Sequence, residues 1–411
     1  MKNTAKTHFS EEEKKHTKIK HDLFTEALKA SLSIANSLNY KDNSNIPFMY
    51  IDLYAGAGKF CNDKEGSPLI ALNLISEYLD KRSFEHFEYI VAENNEHNAK
   101  CLDKNIEKKR KDLKITDRDL KVALYCGHWE DLMNELSDYV QARKWGFVFV
   151  DPFSLELNLP ELIRVLNHNI YYKDIMILIN KNAQERVLGK PESPDIQKIC
   201  KYFGIEEKAL QRLINHIKRN KKGTNEDIIQ YLTKKALQNV DKDFKIYAGI
   251  SRTREGELEN ADRFYLALLT SSIGVADSFL YKYSELLEEK EFNINGGQQS
   301  LFDSSPQTKY TNLEETVQNI IYQNTEISLY KLTKILFNVF LSWKYTEDNE
   351  IPHRRALTVA LNNLLSEKKI QFDVIGKLPT GCVNTVKNKV LAKAFNSKEN
   401  LKHIKIKVLN G

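Results

Sequence analysis

Five short apolar segments, rich in β-branched and aromatic residues, alternate with helical stretches in the first half of the chain. Strands separated by helices pair in parallel, because a parallel connection must cross back over the sheet. The pattern therefore predicts an α/β fold with a mainly parallel, doubly wound sheet. The predicted strands are 48–54, 87–93, 121–126, 147–151 and 175–180.

The segments that follow predict how the sheet is completed. Residues 183–240 are polar with helical periodicity and too long for an ordinary crossover, which indicates a helical insertion. Two alternating runs, 244–251 and 264–271, predict a closing antiparallel hairpin. The expected fold class is thus α/β, with a Rossmann-like seven-stranded sheet and a helical insertion.

Composition predicts where the domains divide. Asn, Gly, Gln, Ser and Pro accumulate over 288–312, and apolar periodicity stops there. Beyond this linker, helical runs at 313–322, 330–343 and 354–368 precede short alternating pieces at 370–375 and 383–386, which predicts a C-terminal winged-helix domain. The expected domains are an N-terminal helical region (1–46, with an amphipathic helix over 10–38), an α/β domain (47–287), the linker (288–312) and the winged-helix domain (313–411).

Charge is unevenly distributed along the chain. Residues 352–411 contain twelve Lys or Arg and three acidic residues, a net charge of +9, whereas the whole chain carries only +5. A near-neutral body with a basic C-terminal lobe is typical of nucleic-acid binding. Arg354, Arg355, Lys368 and Lys369 are the candidate phosphate contacts. A Lys-rich solvated surface explains the same pattern, and winged helices also bind proteins.

The cysteines and the N-terminus indicate a cytoplasmic protein. Five scattered cysteines include no close pair, so neither a zinc site nor a disulfide framework is indicated. The first residues contain no apolar signal segment, and the sequence contains no run of 18 apolar residues. We therefore expect no membrane association.

A glycine turn follows the first predicted strand. The strand ends at Asp52, and Tyr54-Ala55-Gly56-Ala57-Gly58 comes next. A phosphate-binding loop would have Ser or Thr after Gly-Lys, and a dinucleotide fingerprint would have three glycines; the sequence has neither. Glycines let backbone N–H groups approach a ligand at the carboxyl edge of a sheet, although a tight strand-to-helix connection explains them equally.

Two further predicted strands end in acidic residues. Glu93 follows the second strand, where its carboxylate is suited to accept hydrogen bonds from a ribose diol. Asp151 ends an apolar strand and precedes Pro152, which favours an extended conformation at Asp151. Each carboxylate alone is also compatible with a helix cap or a surface charge.

These motifs resemble those of the class I S-adenosylmethionine-dependent methyltransferases. The resemblance implies that S-adenosylmethionine is the cofactor and that Glu93 binds its ribose. It places His128 and Trp129 near the adenine, although His128 stands where that family often has an acid. The residues implied around the methionine end are Asp52, Tyr54, Ala55, Gly56 and Gly58.

A closer resemblance is to the three-Cys-motif partner (TcmP) family, whose members have a methyltransferase-like domain. The matching motifs lie at 17–21, 50–58, 66–72 and 150–153, and the resemblance spans residues 17–285. It implies a partner, a radical S-adenosylmethionine protein that carries the three cysteines. Ser154 stands where the family usually has Gly.

Asp151, Pro152 and Phe153 are the candidate catalytic residues. In base amino-methyltransferases, a similar motif accepts hydrogen bonds from the exocyclic amine while its aromatic ring stacks on the base. The sequence is one proline short of that motif, and no cysteine follows a proline as a cytosine-C5 enzyme requires. Lys18 and Lys20 are candidate nucleic-acid contacts and, with His21, candidate general bases, although a solvated helix face explains them as well.

The linker contains a candidate partner-binding peptide. Gln298, Leu301 and Phe302 are spaced as in the peptide that binds the bacterial sliding clamp. Docking of the two apolar side chains on their own domain is the alternative.

Together these features predict a methyltransferase that acts on a nucleic acid, with DNA the expected one, or on a modified base, with a radical-enzyme partner in DNA metabolism or repair. A non-catalytic adaptor that binds DNA and the clamp is the main alternative. A hydrolase that uses Asp151 and Glu93 around a metal is a third possibility.

Overall fold

The computed structural model describes most of the chain, and its residues form two compact units. The first unit lies within Met1–Lys242 and Gly249–Leu269, and the second within Asp243–Ala248 and Thr270–Gly411. Each unit is described by itself below. The described residues are 15–79, 84–132, 144–152, 155–167, 173–220, 223–254, 257–294, 311–324, 326–341, 351–367, 369–374, 401–402 and 404–408.

A seven-stranded, mostly parallel sheet forms the centre of the first unit, as the sequence predicted. The strand order is β3-β2-β1-β4-β5-β7-β6. The pairs among β1 to β5 are parallel, and β7 is antiparallel to β5. The strands are β1 (Phe48–Asp52), β2 (Phe87–Glu93), β3 (Leu120–Cys126), β4 (Trp145–Val150), β5 (Lys173–Ile179), β6 (Phe244–Arg254) and β7 (Glu257–Thr270).

The strand order reverses between β1 and β4. From β1 the chain moves outward to β2 and β3, and then returns to the other side of β1 to form β4 and β5. Asp52 at the end of β1 pairs with Val91 in β2 and with Phe149 in β4, so all three strands end at one edge. In open α/β sheets, ligands bind in the crevice at this edge and at this reversal.

Sheet position explains the composition of the strands. Every residue of β1, β2 and β5 is buried, which is why these segments read as continuous apolar runs. The edge strand β3 has several exposed residues instead. The described helices around them are α1 (Lys15–Lys41), α2 (Ser67–Leu79), α3 (Glu96–Asp112) and α4 (Leu159–Asn167).

Helix α1 covers one face of the sheet and runs opposite to β4. The Phe24 ring contacts the Phe149 ring, with the centroids 4.6 Å apart. Further along the helix, Asn39 Oδ1 accepts a hydrogen bond of 2.8 Å from Nε1 of Trp145, the first residue of β4. The amino-terminal turns of α1 therefore reach the carboxyl edge of the sheet.

Helices occupy the segment between β5 and β6, where the sequence predicted an insertion. The insertion helices pack on one another, and two of them also pack on α4. They are α5 (Lys181–Leu188), α6 (Ile196–Phe203), α7 (Glu207–Asn220) and α8 (Asn225–Leu237).

The second unit combines helices with a three-stranded antiparallel sheet in the order β10-β11-β8. The first residues of β6 also lie in this unit, where they pair with β9. Its elements are α9 (Ile273–Ile294), α10 (Thr311–Asn324), β8 (Glu326–Ser328), α11 (Leu329–Phe337), β9 (Phe340–Leu341), α12 (Arg354–Ser366), β10 (Ile370–Val374) and β11 (Ile404–Val408).

Two sequence-based expectations for the second unit need correction. The helix predicted over 330–343 ends at Phe337, because the Asn338 side chain donates hydrogen bonds to the carbonyls of Lys334 (2.6 Å) and Asp243 (2.9 Å). The piece predicted at 370–375 pairs with β11, a strand that the sequence analysis did not include. Residues 383–386, its expected partner, lie outside the described residues.

Candidate functional site

Asp52, at the end of β1, is fully buried, and its carboxylate holds the turn that follows. It accepts hydrogen bonds from Ser67 Oγ (2.8 Å), the Tyr50 hydroxyl (3.1 Å) and the Tyr54 backbone N–H (3.2 Å). Burial raises its pKa to about 7; the three hydrogen bonds oppose this rise, and the nearby charge of Asp151 adds to it. Asp52 thus links β1, the turn and α2.

The glycine turn has a backbone that requires glycine at two positions. Gly56 and Gly58 have φ values of +63° and +79°, in the left-handed region that L-residues disfavour. A Cβ at Gly58 would lie 2.9 Å from Leu102 Cδ1 in α3. Asn105, also in α3, donates a 2.8 Å hydrogen bond to the Ala57 carbonyl. The turn is therefore fixed against α3.

Replacing Gly58 with alanine is expected to destabilise the first unit by about 2 kcal/mol, because the left-handed backbone disfavours a Cβ and Leu102 must shift. Gly189→Ala is the matched control, because Gly189 has an ordinary helical φ of −70°. Urea unfolding of both variants measures the difference. Equal stabilities would show that the turn tolerates a side chain.

Glu93, at the end of β2, is buried beside the glycine turn. Oε2 accepts a 2.9 Å hydrogen bond from the Gly56 N–H, and Oε1 accepts one of 2.8 Å from the Asn95 N–H. Burial raises the pKa of Glu93, and these two backbone donors partly offset the rise. Each carboxylate oxygen retains a further lone pair that can accept a hydrogen bond from a ligand.

Asn98 is a candidate site residue that the sequence analysis missed. It lies in the first turn of α3 and is only 4% exposed. Its side chain approaches Glu93 closely enough to favour the charged carboxylate. No acceptor among the described residues is well aligned for a hydrogen bond with Asn98 Nδ2. The sequence did contain a signal for this residue, because Asn98 follows Glu93, the acidic end of β2, by about one helical turn.

The donors and acceptors around Glu93 are of the kind that bind the ribose of a nucleoside. A vicinal diol supplies hydroxyl hydrogens for the remaining Glu93 lone pairs and an oxygen that can accept from Asn98 Nδ2. Gly56 and Gly58 are both buried in the adjoining turn. Asp52 makes its hydrogen bonds within the protein, so its part at this site is to shape the turn.

Aromatic residues lie near Tyr54, the first residue of the turn. The Tyr54 hydroxyl accepts a hydrogen bond from Trp129, and Tyr202 of α6 lies near enough to contribute to the raised pKa of Tyr54. Burial raises the pKa of Tyr54, and nearby acidic groups raise it further. Trp129 is buried, whereas His128 is exposed. The structure thus joins Tyr54 and Trp129, and it adds a residue of the insertion to them.

The first turns of α1 meet the candidate catalytic residues. Lys20 forms an ion pair with Asp151, and Pro152 is buried. Lys18 is exposed. Lys20 was expected to contact phosphates, but here it neutralises the candidate acceptor carboxylate. Phe153 lies outside the described residues.

Two α1 histidines also pack against aromatic residues of the first unit. The ring of His21, which is buried, lies 6.0 Å from the Phe60 ring just beyond the glycine turn. The His16 ring stacks on Phe264 of β7 at 5.8 Å. Together with Lys20, these contacts bring α1 to the edge that carries the candidate site.

A polar cluster lies where β5 ends. Lys181 is buried, forms a 2.9 Å ion pair with Glu226 of α8, and lies over the Tyr265 ring at 5.7 Å. The Tyr265 hydroxyl donates a hydrogen bond of 2.5 Å to Glu226. The sequence analysis did not single out these residues, because they meet only through the insertion.

Several basic residues of the second unit lie beside carboxylates. The Arg354 N–H donates a 2.6 Å hydrogen bond to Asp277, and Lys369 forms a 2.6 Å ion pair with Glu367. Arg355 is exposed. The remaining candidate contacts of the linker and the C-terminal region lie outside the described residues; they are Lys368, Gln298, Leu301 and Phe302.

The fold and site define a mixed α/β protein with a polar site at the carboxyl edge of a mostly parallel sheet. No protein-family model matches the chain, and no curated protein matches it. In the described ranges, no three His, Cys, Asp or Glu side chains are grouped as metal ligands would be. No helix in those ranges is both long enough and apolar enough to cross a bilayer.

Proposed function

We propose that this chain is an S-adenosylmethionine-dependent methyltransferase that acts on a nucleic-acid base. The observation that carries the proposal is the position of the buried Glu93 and Asn98 side chains beside the Gly56 turn, at the point where the strand order reverses. A carboxylate acceptor next to a buried amide donor suits a ribose diol.

The same site has residues suited to the acceptor. When bound, S-adenosylmethionine supplies a methyl group: its bond to sulfur breaks, the sulfur keeps the electron pair, and the acceptor nitrogen gains carbon and loses a proton. The Asp151 carboxylate can accept a hydrogen bond from an exocyclic amine and then hold that proton. Lys20 forms an ion pair with this carboxylate and orients it for this role.

Cofactor binding by the full chain tests the proposal directly. Isothermal titration with S-adenosylmethionine is expected to give a dissociation constant in the micromolar range. Labelled cofactor is then incubated with plasmid DNA, tRNA and rRNA, and we expect label on DNA. Absence of binding at millimolar ligand would remove the methyltransferase proposal.

A non-catalytic adaptor is the second candidate, and one observation favours it. Asp52 and Glu93 already accept several hydrogen bonds within the protein, as they would in a scaffold that has lost its ligand. In this alternative, the linker peptide binds the sliding clamp. Clamp capture that depends on Phe302, without label transfer, would support the adaptor over the enzyme.

We infer that the second unit is a winged-helix domain that contacts DNA. Apart from the two-residue strand β9, its chain order from α10 to β11 is helix, strand, two helices and two further strands, which is suited to that fold. Arg355 at the start of α12 is an exposed cation positioned to contact a phosphate. Kinship with the three-Cys-motif partner family and a radical-enzyme partner remain part of the proposal, based on the sequence motifs.

A further inference from the structure

The helical insertion contains a short segment with a high density of basic residues. Residues 208–222 include six Lys or Arg and no Asp or Glu, a net charge of +6 over 15 residues. The basic C-terminal lobe spreads its net charge of +9 over the 60 residues 352–411. The insertion segment therefore has the higher charge density of the two. Its basic residues are Lys208, Arg212, Lys218, Arg219, Lys221 and Lys222.

Three of these cations lie on one face of helix α7. Residues four and eleven positions apart project from nearly the same side of an α-helix, which has 3.6 residues per turn. Lys208, Arg212 and Arg219 have this spacing, and all three are exposed. They are called the α7 basic face below. The fully buried side chains of α7 lie on the opposite side of the helix; they are Leu210, Ile214 and Ile217.

The α7 basic face is not neutralised by the described part of the protein. None of its three side chains forms a hydrogen bond or an ion pair with another described residue. The single acidic residue of α7, Glu207, accepts a hydrogen bond from Gln197 of α6 instead. The face therefore has a positive potential that is available to a partner. The polar residues that border it are neutral or basic: Gln211, Asn215, His216 and Lys218.

Helix α3 shows, by contrast, a basic face that is balanced by acidic residues. Its exposed lysines at 104, 108 and 111 also share one side of the helix. Three exposed acidic residues alternate with them in the sequence: Asp103, Glu107 and Asp112. Such alternation is typical of a solvated helix. The α7 basic face lacks these acidic neighbours, so it differs from an ordinary solvated helix surface.

The length and charge of the α7 basic face fit a phosphate backbone. At 1.5 Å per residue, the helix rises roughly 16 Å from Lys208 to Arg219. Duplex DNA carries one negative charge per about 1.7 Å of its axis, so this length of DNA offers several phosphates to the three cations. We propose that the α7 basic face binds the phosphate backbone of duplex DNA. The regular, dense charge of DNA favours it over an acidic protein as the partner.

This inference rests on the proposed function and deepens it. It gives the first unit, which contains the candidate site, a DNA contact of its own. Contacts to phosphates fix the position of a protein on DNA but do not read the base sequence. We therefore expect the contribution of α7 to DNA affinity to be the same for duplexes of different sequence.

The salt dependence of DNA binding by the full chain tests the inference. A fluorescent duplex of about 20 base pairs is titrated by anisotropy at salt concentrations between about 50 and 200 mM. The triple variant Lys208→Gln, Arg212→Gln and Arg219→Gln should bind at least tenfold more weakly than wild type. Each phosphate contact contributes about 0.9 to the slope of log affinity against log salt, so the slope should become shallower by roughly 2 to 3.

Two further triple variants serve as controls. Lys104→Gln with Lys108→Gln and Lys111→Gln removes the same charge from an exposed face of α3, and it should keep the wild-type slope. Lys208→Arg with Arg212→Lys and Arg219→Lys keeps the charge of the α7 basic face, and it should keep both affinity and slope. All the substituted side chains are exposed, so the melting temperatures should match wild type.

The outcomes separate this inference from the proposed function. An unchanged slope in the α7 glutamine variant, or an equal loss in the α3 variant, would overturn the inference even if the cofactor binds and label reaches DNA. Loss of poly-L-glutamate binding without loss of duplex binding would assign the face to an acidic protein and would also overturn it. A shallower slope confined to the α7 glutamine variant supports the inference even if no cofactor binds, in which case only the methyltransferase proposal fails.

Discussion

Replacing Glu93 with alanine is expected to weaken cofactor binding at least 100-fold. The alanine variant would lack two charge-assisted hydrogen bonds from the ribose hydroxyls to the Glu93 carboxylate, each worth roughly 1.5–3 kcal/mol. Its contact with the Gly56 N–H would also be lost, so the turn would be less fixed. Isothermal titration with S-adenosylhomocysteine, a product that avoids turnover, measures the change.

Three further variants make the Glu93 result interpretable. Glu93→Gln keeps the shape but turns a donor toward a backbone N–H, so it should also bind poorly. Asn98→Ala should weaken binding about tenfold through the loss of one buried donor. Glu96→Ala, an exposed residue paired with Lys100, should leave binding unchanged. Full affinity in Glu93→Ala, with an unchanged melting temperature, would contradict the site.

The unfolding free energy is expected to fall as pH rises from about 4 to about 7 because of Asp52. Its pKa is about 7 in the folded protein, against an ordinary 3.8, so the folded state holds the proton more tightly. The stability from this proton is fully present below the unfolded pKa and is lost as pH passes through the folded pKa. The change is on the order of 4 kcal/mol. Urea unfolding between pH 4 and 8 measures it.

Asp52→Asn isolates that effect from other titrating groups. The variant should be less stable at pH 4, because its amide cannot satisfy all three donors, and the difference from wild type should shrink toward pH 7. Burial lowers the pKa of Lys173 to about 7, and the charges of Lys144 and Lys242 lower it further. The contribution of Lys173 therefore makes the unfolding free energy rise with pH only above about pH 7. Parallel pH curves for wild type and Asp52→Asn would show that Asp52 does not titrate in this range.

The sequence predicted the sheet well because burial on both faces leaves a strong local signal. Continuous apolar runs marked β1, β2, β4 and β5, and the acidic residues and glycines after them mark the edge where the candidate site lies. Strand ends in a parallel sheet meet by topology alone, so Asp52 and Glu93 could be grouped without coordinates.

The residues supplied by helices could not be predicted in the same way. Asn98 owes its importance to its position beside Glu93, and no local pattern reports that. Lys20 carries a charge that suits a phosphate as well as a carboxylate. Only the packing of α1 on the sheet determines that it pairs with Asp151.

The path of α1 has a consequence for the order in which this protein becomes functional. The helix that covers Phe149 with Phe24 is the same rigid element that carries Lys20 to Asp151. Docking of this helix and completion of the candidate acceptor site are therefore one event. If α1 detaches from the sheet, the protein loses the hydrophobic cover of the sheet and the charge partner of Asp151 together.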